Sequence, residues 1–180
     1  MGVADGFALE RLAVPARMKR APRQGVQELG WAAFGEVVKT FAGQIAARFR
    51  PDVVVGIAKG GVFVGAALAV ALQADFYPVR IAKRRRDPQP SAPLPQLPDL
   101  TGKRVLVVDD VASSGATLAR GRAVARKAGS RRVMTAVLVI RPGGARPDFS
   151  ALETSDLVLF GWDYQLADRA AREDPGEVGV

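Results

Sequence analysis

Residues 105–118 read Val105-Leu106-Val107-Val108-Asp109-Asp110-Val111-Ala112-Ser113-Ser114-Gly115-Ala116-Thr117-Leu118. The first four are aliphatic without a polar break, the pattern of a strand buried on both faces in a parallel sheet. Asp109 and Asp110 follow the strand. Adjacent carboxylates repel each other and are costly to desolvate unless cations or hydroxyl donors face them. A vicinal diol meets that need, because each carboxylate accepts hydrogen bonds from two hydroxyls. Ala112 to Thr117 then lacks bulk, so its backbone N–H groups can close around a phosphate. The stretch also opens a helix, whose N-terminal partial charge favours an anion. Acids for hydroxyls and amides for phosphate together suit a sugar phosphate.

Outward from this stretch, apolar runs alternate with helical patterns. Trp31, Phe34, Val37, Val38, Phe41, Ile45 and Phe49 recur at helical spacing, and Pro51 ends that segment. Val53 to Ile57 reads as a buried strand, Ala58-Lys59-Gly60-Gly61 as a turn, and Val62 to Leu72 as a helix of small apolar residues. Phe76 to Ala82 predicts a strand, Thr117 to about Ala128 a helix, Val133 to Ile140 a strand, and Leu157 to Phe160 the last strand. Between them, residues 83–100 begin with Lys83-Arg84-Arg85-Arg86 and carry Pro88, Pro90, Pro93, Pro95 and Pro98. Such a segment is neither helix nor central strand, and is expected to be a long flexible loop. Residues 1–27 show no sustained period and are expected to form an irregular leader. The fold class implied is α/β, a doubly wound, mostly parallel sheet. In such a sheet the turns after Ile57, Val108, Ile140 and Phe160 would share one edge, where ligands bind.

The chain of 180 residues fits one ordinary domain, with 48% hydrophobic and 24% charged residues. It contains no cysteine and no histidine. Thiol nucleophiles, disulfides, zinc sites built on Cys or His, and Ser–His or Cys–His machinery are therefore excluded. Any chemistry rests on carboxylates, cations, hydroxyls, backbone amides or a hard metal ion. The apolar segment Val62 to Leu72 falls well short of a membrane span, which takes about 20 residues. The first residues carry no signal-peptide pattern. A soluble cytoplasmic protein with no membrane partner is expected. The net charge of +8 suits a polyanionic partner or an arginine-rich background.

The string from Val105 to Leu118 resembles the phosphoribosyl-diphosphate (PRPP) motif of the type I phosphoribosyltransferases, and the likeness runs in order from about Leu29 to Arg169. Gly56-Ile57-Ala58-Lys59-Gly60-Gly61 resembles that family's pyrophosphate loop, and Thr101 to Arg104 its lead-in to the PRPP strand. Phe160-Gly161-Trp162-Asp163 resembles the hood of the purine branch, in particular the xanthine–guanine and hypoxanthine enzymes. The resemblance implies a domain over residues 28–180, with a lid at 83–100 and a small hood at 141–180. It implies a magnesium-dependent transfer of ribose 5-phosphate from PRPP to a 6-oxopurine, with release of diphosphate. Asp109 and Asp110 would position the ribose hydroxyls, and Ala112, Ser113, Ser114, Gly115, Ala116 and Thr117 would hold the 5-phosphate. Lys59, Gly60, Gly61 and Arg169 would take the diphosphate, whose negative charge grows as its bond to the sugar breaks. Trp162 would stack on the base and Arg141 would mark its 6-oxo edge. Asp163 would help hold Mg2+, an ion that needs few carboxylates beside substrate oxygens. A homodimer would fit the family.

One position departs from that pattern. Ser113 stands where many 6-oxopurine transferases carry an Asp near N7 of the base, and a hydroxyl is a poor base near neutrality. Ser113 is more like the loops of relatives with other substrates, so a transferase for a non-purine acceptor stays open. A third reading keeps the fold without turnover: a PRPP- or nucleotide-sensing regulator that binds nucleic acid through Arg126, Lys127, Arg131 and Arg132.

Overall fold

The structure, a computed structural model, describes residues 25–81, 96–144 and 146–163. Five strands form one parallel sheet: β2 (Val53–Ile57), β3 (Asp75–Val79), β4 (Arg104–Ala112), β5 (Arg132–Ile140) and β6 (Phe149–Glu153). Their spatial order is β3-β2-β4-β5-β6, and every pair is parallel. A separate parallel pair joins β1 (Val26–Leu29) to β7 (Leu157–Phe160).

Three helices cover the large sheet: α1 (Trp31–Ala46), α2 (Gly60–Leu72) and α3 (Ala116–Lys127). The burial of Phe34, Val38, Phe41, Ala42 and Ile45 follows the helical repeat, so α1 docks by one stripe. Full burial of a side chain such as Phe41 or Ile45 is worth about 1.5–3 kcal/mol. One core layer joins α1 and α2 to Val54, Leu106, Val108, Ala136 and Leu138. The other joins Leu118 and Ala125 of α3 to Val53, Val55, Ile57, Val105, Val107 and Val137. Alternate residues of the central strands thus feed opposite layers, which explains why their sequence shows no polar alternation. Small residues let α2 lie directly on β2: a β-carbon on Gly65 would stand 3.0 Å from Gly56 Cα and 2.9 Å from the Phe76 ring.

Four sequence expectations change. The acid pair does not end its strand, because β4 runs on to Ala112 and pairs Val111 with Val139 and Ala112 with Ile140. The last strand does not join the main sheet; it pairs with β1, which begins inside the segment expected to be an irregular leader. Strand β6 was not predicted, since Phe149–Glu153 mixes polar and apolar residues as an edge strand does. At the end of the proline-rich stretch, Leu100 is 1% exposed, sits in the α3 core layer and donates its N–H to Ala128 O at 2.7 Å. The lid expected over residues 83–100 therefore cannot include Leu100, and residues 82–95 lie outside the described residues. Residues 1–24 and 164–180 do as well.

Candidate active site

The chain reverses its direction across the sheet between β2 and β4. After β2 it moves outward to β3, and from β4 it moves the other way to β5 and β6. Parallel sheets bind ligands at such a switch point, outside the carboxyl ends of the strands. The start of α2, just beyond β2, meets the end of β4 there. A β-carbon on Gly60 would overlap the Asp110 carboxylate, and one on Gly61 would stand 2.7 Å from Val108 O and 2.9 Å from Asp109 Cα. The two glycines are thus required by the acid pair itself. Asp109 is 8% exposed and Asp110 half-buried. Each carboxylate accepts the next backbone amide: Asp110 N–H donates to Asp109 Oδ1 at 3.0 Å, and Val111 N–H to Asp110 Oδ1 at 2.8 Å. The Ala58–Lys59 peptide is cis, and Lys59 is exposed beside the first turn of α2.

Ala112 is buried at the end of β4, and beyond it Ser113, Ser114 and Ala116 are exposed while Gly115 and Thr117 are half-buried. Gly115 takes φ +77°, a conformation suited to glycine, and turns the chain into α3. Its turn is held by Ala116 N–H donating to Ser114 Oγ at 3.4 Å. Neither α2 nor α3 has a side-chain cap on its N-terminus. Both helices follow strands of the same parallel sheet, so two uncapped N-termini face the switch point, and their dipoles favour negative charge there. The turn after β5 closes against the loop, since a β-carbon on Gly144 would overlap Ser113 O.

The hood residues are placed differently from the sequence expectation. Trp162 is 9% exposed and lies in the α1–α2 core layer. Its ring is stacked with Phe160 (centroids 4.7 Å, 3° apart) and with Phe63 (5.1 Å, 12°). Packed in this way it has little open face for a base. The exposed aromatic surface of the cluster belongs to Phe63, 41% exposed, and Trp31, 50% exposed. Trp31 lies 5.9 Å from Phe63 and 5.7 Å from Trp162, edge-on or tilted. Phe63 stands three residues after Gly60, so α2 links the acid pair to the aromatic cluster. Sequence reasoning passed over it, although a lone aromatic in a helix of small residues was a usable signal. Arg141 is likewise engaged: its Nη1 donates to Thr154 O at 3.2 Å and to Asp156 O, tying β5 to the turn before β7. Arg169 lies outside the described residues.

Asp163 Oδ2 accepts the Phe160 N–H at 3.1 Å, and Asp163 N–H donates to Phe160 O at 2.8 Å. Among the described residues no group of three His, Cys, Asp or Glu side chains could cage a metal. Magnesium takes most of its oxygens from water and substrate phosphates, so its binding needs no such cage. At the opposite edge of the sheet Asp52 accepts three hydrogen bonds from Arg104: from its backbone N–H at 2.7 Å, Nε at 3.1 Å and Nη2 at 2.7 Å. These bonds lower the Asp52 carboxyl to about 2. No helix among the described residues is long and apolar enough to cross a membrane.

The family described as phosphoribosyl transferase domain matches residues 29–169. An orotate phosphoribosyltransferase of Saccharolobus solfataricus is 34% identical over 94 residues, which are 52% of this chain and 46% of that enzyme. An adenine phosphoribosyltransferase of Sphingopyxis alaskensis is 28% identical over 169 residues, covering 79% of this chain and 88% of that enzyme. The crystal structure of a purine phosphoribosyltransferase from Pyrococcus horikoshii superposes with a TM-score of 0.68 at 25% identity, over 78% of this chain and 95% of that one.

Proposed function

The chain belongs to the phosphoribosyl transferase domain family, and on that premise we propose that it transfers ribose 5-phosphate from PRPP to a 6-oxopurine and releases diphosphate. The observation that carries the reading is the closure of Gly60 and Gly61 on Asp109 and Asp110 at the switch point, with two uncapped helix N-termini beside them. Asp109 and Asp110 accept the ribose hydroxyls. Ser113 to Thr117 hold the 5-phosphate through their amides and hydroxyls at the start of α3. The amides of Gly60 and Gly61, with Lys59 and Arg169, stabilise the diphosphate as it leaves. Bound magnesium supplies charge neutralisation on the diphosphate, and Asp163 is the residue that would help hold it. Most of the rate then comes from positioning and charge stabilisation, with no covalent intermediate on the protein.

For the base, the exposed ring of Phe63 is the better stacking surface than the packed Trp162. With Nη1 of Arg141 engaged by carbonyls, its other nitrogens are what it can offer the 6-oxo edge. The exposed Ser113 favours a second reading, in which the acceptor is not a 6-oxopurine, and the similarity to adenine and orotate enzymes supports keeping it. Diphosphate release from PRPP and Mg2+ is the test, with hypoxanthine, guanine and xanthine in one set and adenine and orotate in another. Release with the first set supports the proposal. Release with only the second overturns the base, and release with none overturns the transferase.

A further inference from the structure

A cavity of about 570 Å³ opens along the flank of α3. It begins at Ser114 and Gly115, which the proposed function gives to the 5-phosphate, and runs beyond them down one face of the helix through Leu118 and Arg122 to Arg126, roughly 16 Å at the helical rise. Its far wall is Arg146 and Pro147, in the loop that leads into β6. Arg122 is set firmly in its floor: Nη2 donates to Thr135 Oγ1 at 3.3 Å and to Asp148. Asp148 is itself held by Thr135, whose N–H donates to it at 2.8 Å and whose hydroxyl donates at 2.9 Å. The Arg122 Nε is buried with no hydrogen-bond partner, a donor that ordinarily has one. Among the described residues, Arg126 and Arg146 are exposed and form no salt bridge. Three guanidinium groups therefore line one cavity, and among the described residues only that of Arg122 is paired with a carboxylate.

We infer that this cavity is a binding site for a phosphorylated small molecule of nucleotide size. The volume lies within the usual range of small-molecule sites, roughly 300–1,000 Å³. Guanidinium forks match phosphate oxygens in pairs, and Arg126 and Arg146 line the cavity from two different elements, α3 and the loop before β6. Leu118 and Pro147 offer an apolar patch for the rest of the ligand. A concave, walled groove favours a compact ligand over an extended nucleic-acid strand.

The test is calorimetric titration of the full chain with inorganic triphosphate, and separately with a nucleoside triphosphate. Both are compared between the native protein and the double variant R126E/R146E. The control R131E/R132E changes charge equally on exposed residues at the far edge of the sheet. The native protein is expected to bind triphosphate at one site more than the groove variant does, or about tenfold more tightly at that site. The control should keep that site. Counting sites separates this result from the proposed function: if the catalytic rim binds no phosphate, the native protein shows one site and the groove variant none. Tighter binding of the nucleoside triphosphate supports a nucleotide ligand, and equal binding supports recognition of the phosphates alone. Equal binding by native protein and groove variant, equal loss in the control, or binding only of a long single-stranded RNA would overturn the inference.

Discussion

The Asp110 carboxylate occupies the space that a β-carbon on Gly60 would need. That contact makes the two halves of the site one object: the first residue of α2 cannot take a side chain without moving the acid that the proposed function assigns to the ribose. The two glycines should answer differently to substitution. At Gly60 the obstacle is the end of a side chain, so Gly60→Ala is expected to fold normally and to displace Asp110, lowering turnover by about a hundredfold. At Gly61 the obstacles are Val108 O and Asp109 Cα, which are backbone. Gly61→Ala should therefore lose stability, by about 1–3 kcal/mol, as well as activity. Denaturant unfolding alongside steady-state rates checks both. Native turnover in Gly60→Ala would show that Asp110 is not positioned for catalysis.

Trp162 and Phe63 are stacked in contact, yet they should separate in mutants. Trp162 is nearly buried between ring partners, so Trp162→Ala opens a cavity and should cost about 3–5 kcal/mol of stability. Phe63 is 41% exposed, and Phe63→Ala should cost much less stability. Its loss should appear as a raised KM for the base by roughly tenfold, the size of one stacking contact. Phe63→Leu, which keeps apolar bulk without the ring, tests whether stacking or volume matters. An unchanged KM in both Phe63 variants would return the stacking role to another residue.

How much of this was legible in the sequence depends on how each element is buried. Val53 to Ile57 and Val105 to Val108 are covered on both faces, so their composition alone marks them as central strands. Phe149–Glu153 is an edge strand with half-buried residues, and Val26–Leu29 is mostly exposed; neither leaves a periodic trace. The turn from Ser113 to Thr117 into α3 was legible because its glycine and small residues are local signals. The acid pair's dependence on Gly60 and Gly61 joins residues about fifty positions apart, and no spacing rule reports that. The roles of Trp162 and Arg141 as ligand contacts come from the family resemblance. Whether such a side chain turns outward or packs inward is decided by partners such as Phe63 and the Thr154 carbonyl, which only the fold brings near.

Acid should test the Asp52–Arg104 pair on the edge away from the site. Its folded carboxyl lies at about 2, below the ordinary 3.8, because the Arg104 side chain and backbone amide hydrogen-bond to the charged form. A depressed carboxyl stabilises the fold above its unfolded value and loses that contribution as pH falls through the folded one. The contribution is thus complete at neutral pH, shrinks between about 4 and 2, and is gone below. The pair is about one-third exposed, so the effect is modest after screening by solvent. Asp52→Asn should lower Tm by roughly 2–4 °C at pH 7, with the gap closing toward pH 2. A gap that stays constant over that range would mean the pair acts through packing and not charge.

Metal removal should separate stability from activity. Among the described residues no three acidic side chains gather into a cage, and Asp163 already gives one oxygen to the Phe160 amide. Magnesium held mainly by substrate phosphates would then contribute nothing to the unliganded fold. Adding a chelator should leave Tm of the free protein unchanged while abolishing transfer from PRPP. Asp163→Asn keeps an oxygen that can accept the Phe160 N–H, so the turn should survive. The loss should fall on activity, with a raised magnesium requirement of about tenfold, the scale on which removing one supporting group weakens a metal site. A Tm that drops on chelation without substrate would instead place the ion in a protein-built site. Normal magnesium dependence in Asp163→Asn would remove that residue from the metal's surroundings.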